Sequence, residues 1–411
     1  MVKRFKGMDN SRDVSRRITE LDGIRGMAIL LVLIWHYGAC EIQAEPRMLL
    51  YYGFRALDLT WSGVDLFFVL SGFLIGGILL DNKDSVNYFS TFYIRRICRI
   101  FPLYFLWVFL FIGAIPIAAR SDWLFGKSLP VWSYLTFTQN IAMAKTGDFG
   151  PNWLGITWSL AVEEQFYLIL PLMIFFLSSQ RLPYVLACIV LAAPALRFIL
   201  MRYSNGNFSP YVFMPCRADA LMLGVLCAYG MRQEGFRRCL TDHRAFLYGL
   251  FALLLALAGV FTYKDYRVFS FVMLSYGYSV LALLYSCFLL IALTERRGFV
   301  TWIVRNPLMV RLGIIAYGVY LFHQGVSGLI HGLLLKQTPQ IGGWVAAGVT
   351  LSALLITLTL AELSWLYFEK PLVVIGHSFK YRKRNDFSLD ALPERSRSDE
   401  PTVEPSSLQA G

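Results

Sequence analysis

Leu21 to His36 reads L-D-G-I-R-G-M-A-I-L-L-V-L-I-W-H. A charged turn, Asp22 and Arg25, opens into an unbroken apolar run that carries one imidazole, His36. Unbroken apolarity, rather than strict alternation, predicts a helix at membrane depth and argues against a barrel strand. On that helix Arg25 and His36 are offset by about 20° beyond three full turns, so they leave one face about 16 Å apart along the axis. Ionisable groups are expensive inside a membrane and mark functional sites by default. For His36 taken alone, a hydrogen bond to a neighbouring helix explains the residue equally well.

The rest of the chain extends the pattern. Of 411 residues, 56% are hydrophobic and 16% charged, and the mean hydropathy is +0.53. A soluble domain is about a quarter charged. Apolar runs long enough to span about 30 Å of hydrocarbon recur throughout. The predicted spans are 24–40, 61–80, 100–118, 154–177, 182–200, 212–231, 245–263, 269–293, 308–335 and 343–366. The expected fold class is therefore all-α: a polytopic integral membrane protein of about ten transmembrane helices.

Charge sets the expected orientation. Lys83 to Arg99, Arg232 to Arg244 and Arg296 to Arg311 each hold four basic residues, whereas Ala39 to Thr60 and Lys264 to Ser270 hold two each. That bias predicts both termini in the cytosol. It also accounts for the net charge of +11 without nucleic acid, because the basic residues sit at helix ends. The domain reading is a basic cytosolic segment 1–20, a membrane domain 21–375 and a polar, disordered cytosolic tail 376–411. The first apolar run is expected to be retained rather than cleaved. The seven cysteines include no Cys-x-x-Cys and read as small buried hydrophobes. In the longest outer loop, 119–153, Trp123, Trp132 and Trp153 are expected interface anchors. Gly126-Lys127-Ser128 there lacks the first glycine and the preceding strand of a phosphate-binding loop.

Four polar constellations interrupt the apolar background. Arg25 with His36 is the first. The second runs from Trp61 to Gly77, where Gly72 and Gly76 form a small-xxx-small packing step and Asp65 needs a partner or water. The third, Y-I-R-R-I-C-R-I-F-P-L-Y from Tyr93 to Tyr104, places Arg96 and Arg99 on one helix face. Positive-inside anchoring would explain them, but a paired guanidinium face also suits a phosphate-bearing ligand. The fourth, W-S-L-A-V-E-E-Q-F-Y from Trp158 to Tyr167, puts Glu163 and Glu164 at bilayer depth, where structure alone gives no reason for them. His323, in Y-G-V-Y-L-F-H-Q, lies towards the outer end of the ninth span. No metal-ligand set such as His-Glu-x-x-His occurs, and Gly325-Val326-Ser327-Gly328 fails the Gly-x-Ser-x-Gly elbow at Leu329.

These motifs, in this order, resemble the acyltransferase 3 family of integral membrane O-acyltransferases over about residues 18–375. Tyr320 to His323 and Phe368 to Leu372 resemble that family's final helices. The resemblance implies ten core helices and transfer of an acyl group, usually acetyl from acetyl-CoA, to hydroxyls of cell-envelope or exported glycans. In some members the acceptor is a macrolide or other small molecule. Some members add an extracytoplasmic esterase-like domain; none is expected in this chain, so the membrane domain would reach its acceptor unaided.

A hydroxyl becomes a good nucleophile when a base takes its proton, a task suited to imidazole. His36 is the expected base, oriented by Glu163 or Glu164. Arg96 and Arg99, with Arg25, are expected to hold the phosphates of acyl-CoA, a co-substrate rather than a resident cofactor. Asp65, Trp158, Ser159, Tyr167 and His323 are expected on the acceptor side or in support. The expected partners are acyl-CoA, a glycan or lipid-linked saccharide and membrane lipid; the expected location is the cytoplasmic (inner) membrane. A proton-coupled secondary transporter using His36, Glu163 and Asp65 is the alternative of another class. It does not require the aligned basic pair, and no matching broken-helix halves are evident.

Overall fold

An uninterrupted apolar run satisfies its backbone within itself by forming a helix. The computed structural model describes residues 18–42, 57–114, 122–126, 129–203, 208–264, 268–295 and 297–383. Residues 1–17 of the basic segment, residues 384–411 of the expected tail, and Lys127 with Ser128 lie outside the described residues.

The main helices are α1 (Thr19–Ile34), α2 (Gly63–Asp81), α3 (Tyr88–Ala114), α4 (Trp158–Phe176), α5 (Leu182–Tyr203) and α6 (Ala218–Gly230). They continue with α7 (Arg244–Lys264), α8 (Tyr278–Thr294), α9 (Pro307–Leu335), α10 (Trp344–Ser364) and α11 (Lys370–Ser378). Among the described residues three single π-helical turns occur: Trp35–Ala39 after α1, Met273–Gly277 before α8 and Trp365–Glu369 between α10 and α11. Among the described residues, extended pairing is limited to two isolated bridges, and nine helices are long and apolar enough to cross a membrane. The chain is thus an all-α, multi-pass membrane protein.

The sixth expected span, 212–231, is interrupted. A 3-10 turn, Met214–Arg217, precedes α6, which has 13 residues and is too short to cross alone. Pro215 lies in that turn and supplies no backbone N–H, so a continuous helix is not sustained there. Even so, the segment runs beside α2 over its full length. Arg217 pairs with Asp65 near one end of α2, and Arg232 pairs with Asp81 at the other, at 2.5 Å. Asp65 and Asp81 are separated by about 24 Å of helix.

Small residues set the closest contacts. A Cβ on Gly72 would overlap the Leu221 carbonyl of α6, and one on Gly224 would overlap the Val69 carbonyl of α2. The glycines of the opening motif do the same for α1: a Cβ on Gly26 would overlap the Met309 carbonyl of α9. Helices α2, α8 and α9 are largely buried, whereas α5, α7 and α10 present most of their residues outward. Helix α3 begins at Tyr88, twelve residues before the expected 100, so all three arginines of R-R-I-C-R lie within it. At the other end of the chain, helix continues through the expected boundary at Gly376 to Ser378. Residues beyond it stay packed: Val86 N–H donates to the Arg382 carbonyl at 3.0 Å, and Asn87 Nδ2 donates to the Lys380 carbonyl at 2.8 Å.

Candidate active site

Helical spacing gathers the polar residues of α1, α2, α3, α4 and α9 around one cavity of about 130 Å³. Arg25, Arg96, Arg99, Glu163, Tyr167, Ser71, Ser159 and Tyr320 contribute to its lining. Leu70, Leu74, Ile75, Ile100 and Leu160 supply apolar wall between them. The volume is enough for a narrow chain or several waters.

The basic end is built by α3. Arg96 and Arg99, three residues apart, share the face turned to the cavity. Arg95 points elsewhere, because successive helical side chains diverge by about 100°. Its Nε and Nη2 donate to the Phe379 carbonyl at 2.9 and 2.7 Å, and its guanidinium lies 5.0 Å from the centre of the Tyr381 ring. Arg25 enters the cavity from α1 and also bonds Asp22 at 2.8 Å.

The two adjacent carboxylates separate for the same reason. Glu163 lines the cavity and accepts from the Tyr167 hydroxyl at 3.2 Å; that hydroxyl also pairs with Ser71 at 2.8 Å. Glu164 turns away from the cavity lining, with Arg96 as a charged neighbour, and its Oε1 is buried without a hydrogen-bond partner among the described residues.

His36 lies in the π-helical turn after α1. Such turns are frequent at functional sites. Its Nδ1 is 3.0 Å from the Val32 carbonyl. A carbonyl only accepts, so Nδ1 carries the proton and Nε2 is left as the base. The Val32 carbonyl of α1 holds this ring, and neither Glu163 nor Glu164, the carboxylates expected to orient it, hydrogen-bonds His36 among the described residues. The ring's neighbour is another imidazole. His36 and His323 lie edge to face with centroids 4.7 Å apart. His323 is fully buried, and its Nδ1 is 2.6 Å from the Tyr320 carbonyl. Its Nε2 has no hydrogen-bond partner among the described residues. Tyr37 buttresses this helix, donating to the His323 carbonyl at 2.9 Å and pairing with Thr357 at 2.8 Å.

The cavity and the imidazoles meet at Tyr320. At the end remote from Arg96 and Arg99, the Tyr320 hydroxyl and Ser159 Oγ are 2.6 Å apart. The Tyr320 ring is 5.7 Å from the His323 ring. Val64 lines this end, next to Gly63, which packs on Ala28 to Val32 of α1. The cavity thus ends about one helical turn short of His36, which is not part of its lining.

Asp65 and Trp158 stand behind the site rather than in its wall. Asp65 is buried against Arg217, whose guanidinium lies 3.9 Å from the centre of the Tyr278 ring. Trp158 packs on Tyr211 at 4.6 Å. A second buried pair, Arg197 with Asp219 at 2.9 Å, adjoins them, and Arg197 also donates to the Leu274 carbonyl. Sequence reasoning passed over Arg197, Arg217 and Asp219. Their signal was present as ionisable residues within or beside apolar runs. It gave no site role of their own to Tyr320 and Ser71, which carry no such cost. Among the described residues no group of three or more His, Cys, Asp or Glu side chains could hold a metal.

Outside the spans, Glu41 follows the π-helical turn. Burial pushes its carboxyl up to about 7, against weak 3.4 Å hydrogen bonds from Thr350 and Ser327.

A family described as "Acyltransferase domain" matches residues 18–362. A Bacillus subtilis (strain 168) protein named "Putative peptidoglycan O-acetyltransferase YrhL" is 29% identical over 393 residues, covering 89% of this chain and 57% of its own length. A Staphylococcus aureus (strain COL) protein named "Putative O-acetyltransferase SACOL0978" is 25% identical over 371 residues, covering 87% and 57% respectively. "O-acetyltransferase OatA" of Staphylococcus aureus (strain MRSA252) is 24% identical over 412 residues, covering 95% and 63%. The chain therefore spans only 57% to 63% of the length of these three relatives. No solved structure matches it.

Proposed function

Because the chain belongs to the acyltransferase family matched over residues 18–362, we propose that it moves an acyl group, acetyl in the first instance, from acyl-CoA to a hydroxyl of a cell-envelope or exported glycan. The carrying observation is one cavity that joins Arg25, Arg96 and Arg99 to Glu163 and ends at Ser159 and Tyr320, beside the His36–His323 pair. Guanidinium groups match phosphate oxygens, so the basic end is the place for the nucleotide of the donor. From Tyr167 back to Ser159 is about 12 Å of helix, a length that an extended pantetheine arm covers.

In this reading the basic end faces the cytosol, and the protein lies in the cytoplasmic membrane with both termini inside. His36 Nε2 takes the proton of the acceptor hydroxyl, whose oxygen attacks the thioester carbonyl. Glu163 sits between the arginines and the reacting end, where it offsets their charge. The acceptor arrives from the opposite side, near His323. The relatives named for O-acetylation support acetyl as the group, and the one named for peptidoglycan supports a glycan acceptor.

The test is to supply membranes containing the protein with radiolabelled acetyl-CoA and to follow label into envelope carbohydrate. Label is expected with the wild-type chain and not with His36→Ala. Equal labelling by the two would remove the base assignment; no label above protein-free membranes would remove the donor and acceptor reading.

A further inference from the structure

Acyl transfer passes through a tetrahedral intermediate whose former carbonyl oxygen is anionic, and a water-poor site must supply a hydrogen-bond donor for it. The far end of the cavity holds two buried hydroxyls, Tyr320 at 7% and Ser159 at 5% exposure. They are 2.6 Å apart, and both reach the Ile156 carbonyl, Tyr320 at 3.1 Å and Ser159 at 3.2 Å. Two hydroxyl protons thus circulate between one carbonyl and two hydroxyl oxygens. If Tyr320 turns its proton away, Ser159 Oγ donates to the Tyr320 oxygen and the Ile156 carbonyl keeps the Ser159 backbone N–H, which lies at 3.4 Å. Releasing that proton therefore leaves no buried acceptor without a partner.

Three further features favour an anion here. Ser159 is the second residue of α4, a helix of 19 residues, so the positive end of its dipole lies beside the pair. Phe67 stands edge-on to Tyr320 at 6.1 Å and, with Val64, gives this end an apolar wall. The Tyr320 ring also adjoins His323, whose own ring touches His36, so a chain of three rings in contact links the donor to the base.

We propose that Tyr320 is a catalytic residue, its hydroxyl donating to the oxyanion, and that Ser159 positions it. This rests on the acyl-transfer reading above. The acceptor O–H bond breaks and its proton passes to His36 Nε2. The hydroxyl oxygen bonds the thioester carbon, and the carbonyl π pair moves onto the oxygen held by Tyr320. On collapse the C=O re-forms, the C–S bond breaks, and His36 returns the proton to the departing sulfur, giving ester and thiol.

The experiment compares wild type, Tyr320→Phe, Ser159→Ala and Ser159→Thr in membranes, with equal protein by immunoblot and acetyl-CoA as donor. Tyr320→Phe keeps the ring and should lower kcat by about 10² to 10³-fold with donor KM within about threefold. Ser159→Ala should lower kcat by about tenfold, and Ser159→Thr, which restores the hydroxyl, should recover most of it. Wild-type kcat in Tyr320→Phe, or a loss carried wholly by donor KM, overturns the assignment alone. An inactive wild type overturns the acyl-transfer reading and this assignment with it. Should Tyr320→Phe fail to accumulate, equal kcat in Ser159→Ala and Ser159→Thr overturns the proposal, and a loss restored by Thr supports it.

Discussion

His36 follows α1 and His323 lies in α9, yet their rings meet at 4.7 Å, with each Nδ1 against a carbonyl three or four residues earlier in the chain. Both therefore keep a basic Nε2, and that of His323 is buried without a partner among the described residues. A buried polar atom left in this state costs about 1–3 kcal/mol. His323→Leu is close to histidine in volume and removes that cost. The variant should unfold at a temperature equal to or above wild type and lose at least about tenfold in transfer rate. Full activity would make His323 a packing residue only.

The arginines of R-R-I-C-R should divide by direction. Arg96→Ala and Arg99→Ala should each raise donor KM by about 10 to 100-fold, the value of a lost charge-assisted bond to phosphate. Arg95→Ala should leave donor KM near wild type, because Arg95 holds Phe379 instead. It should speed tryptic cleavage at Lys380 and Arg382. A donor KM that rises as much in Arg95→Ala as in its neighbours would contradict this division.

Asp65 and Arg217 form a pair that is 2% and 1% exposed. Removing one partner from such a pair strands a buried charge, at a cost of about 3–5 kcal/mol. Arg217→Met should therefore sharply lower the amount of folded protein, and Asp65→Asn combined with Arg217→Met should recover part of it. Folded yield and thermal midpoint in detergent decide this. No recovery in the double variant would mean that the two charges act independently.

Glu41 gives a pH dependence of known sign. Its carboxyl is raised from the ordinary carboxylate range to about 7 in the folded chain, chiefly by burial. The folded state thus holds this proton more tightly than the unfolded state. The resulting stability is fully present below the unfolded value and is lost as pH rises through about 7. The drop in thermal midpoint between about pH 5 and about pH 8 should be smaller in Glu41→Gln than in wild type. An unchanged drop would assign the pH dependence to other groups.

Much of the architecture was legible in the chain because hydrocarbon imposes a simple rule. A backbone out of reach of water must bond itself, so an apolar run of sufficient length becomes a helix. Eight of the spans appear near their expected places on that ground alone. Boundaries were less legible where charge lies inside a helix: α3 runs back to Tyr88, and Arg95 within it is met by the Phe379 carbonyl, which sequence does not reveal. The interruption before α6 was visible in Pro215 but carried no weight against the apolar run around it.

The chain by itself determined helices at membrane depth, an Arg25–His36 stripe, a paired Arg96–Arg99 face, and the fact that two glutamates in a span must be accounted for. These follow from helical periodicity and the cost of charge in lipid, which act along one segment. Tertiary structure alone decided what each group meets: His323 rather than a carboxylate beside His36, Glu163 in the cavity and Glu164 outside it, Arg217 against Asp65, and Tyr320 with Ser159 at the cavity's end. Those pairings join positions up to 287 residues apart, as with His36 and His323. They depend on how closely helices approach, which the glycine contacts of α1 with α9 and of α2 with α6 set.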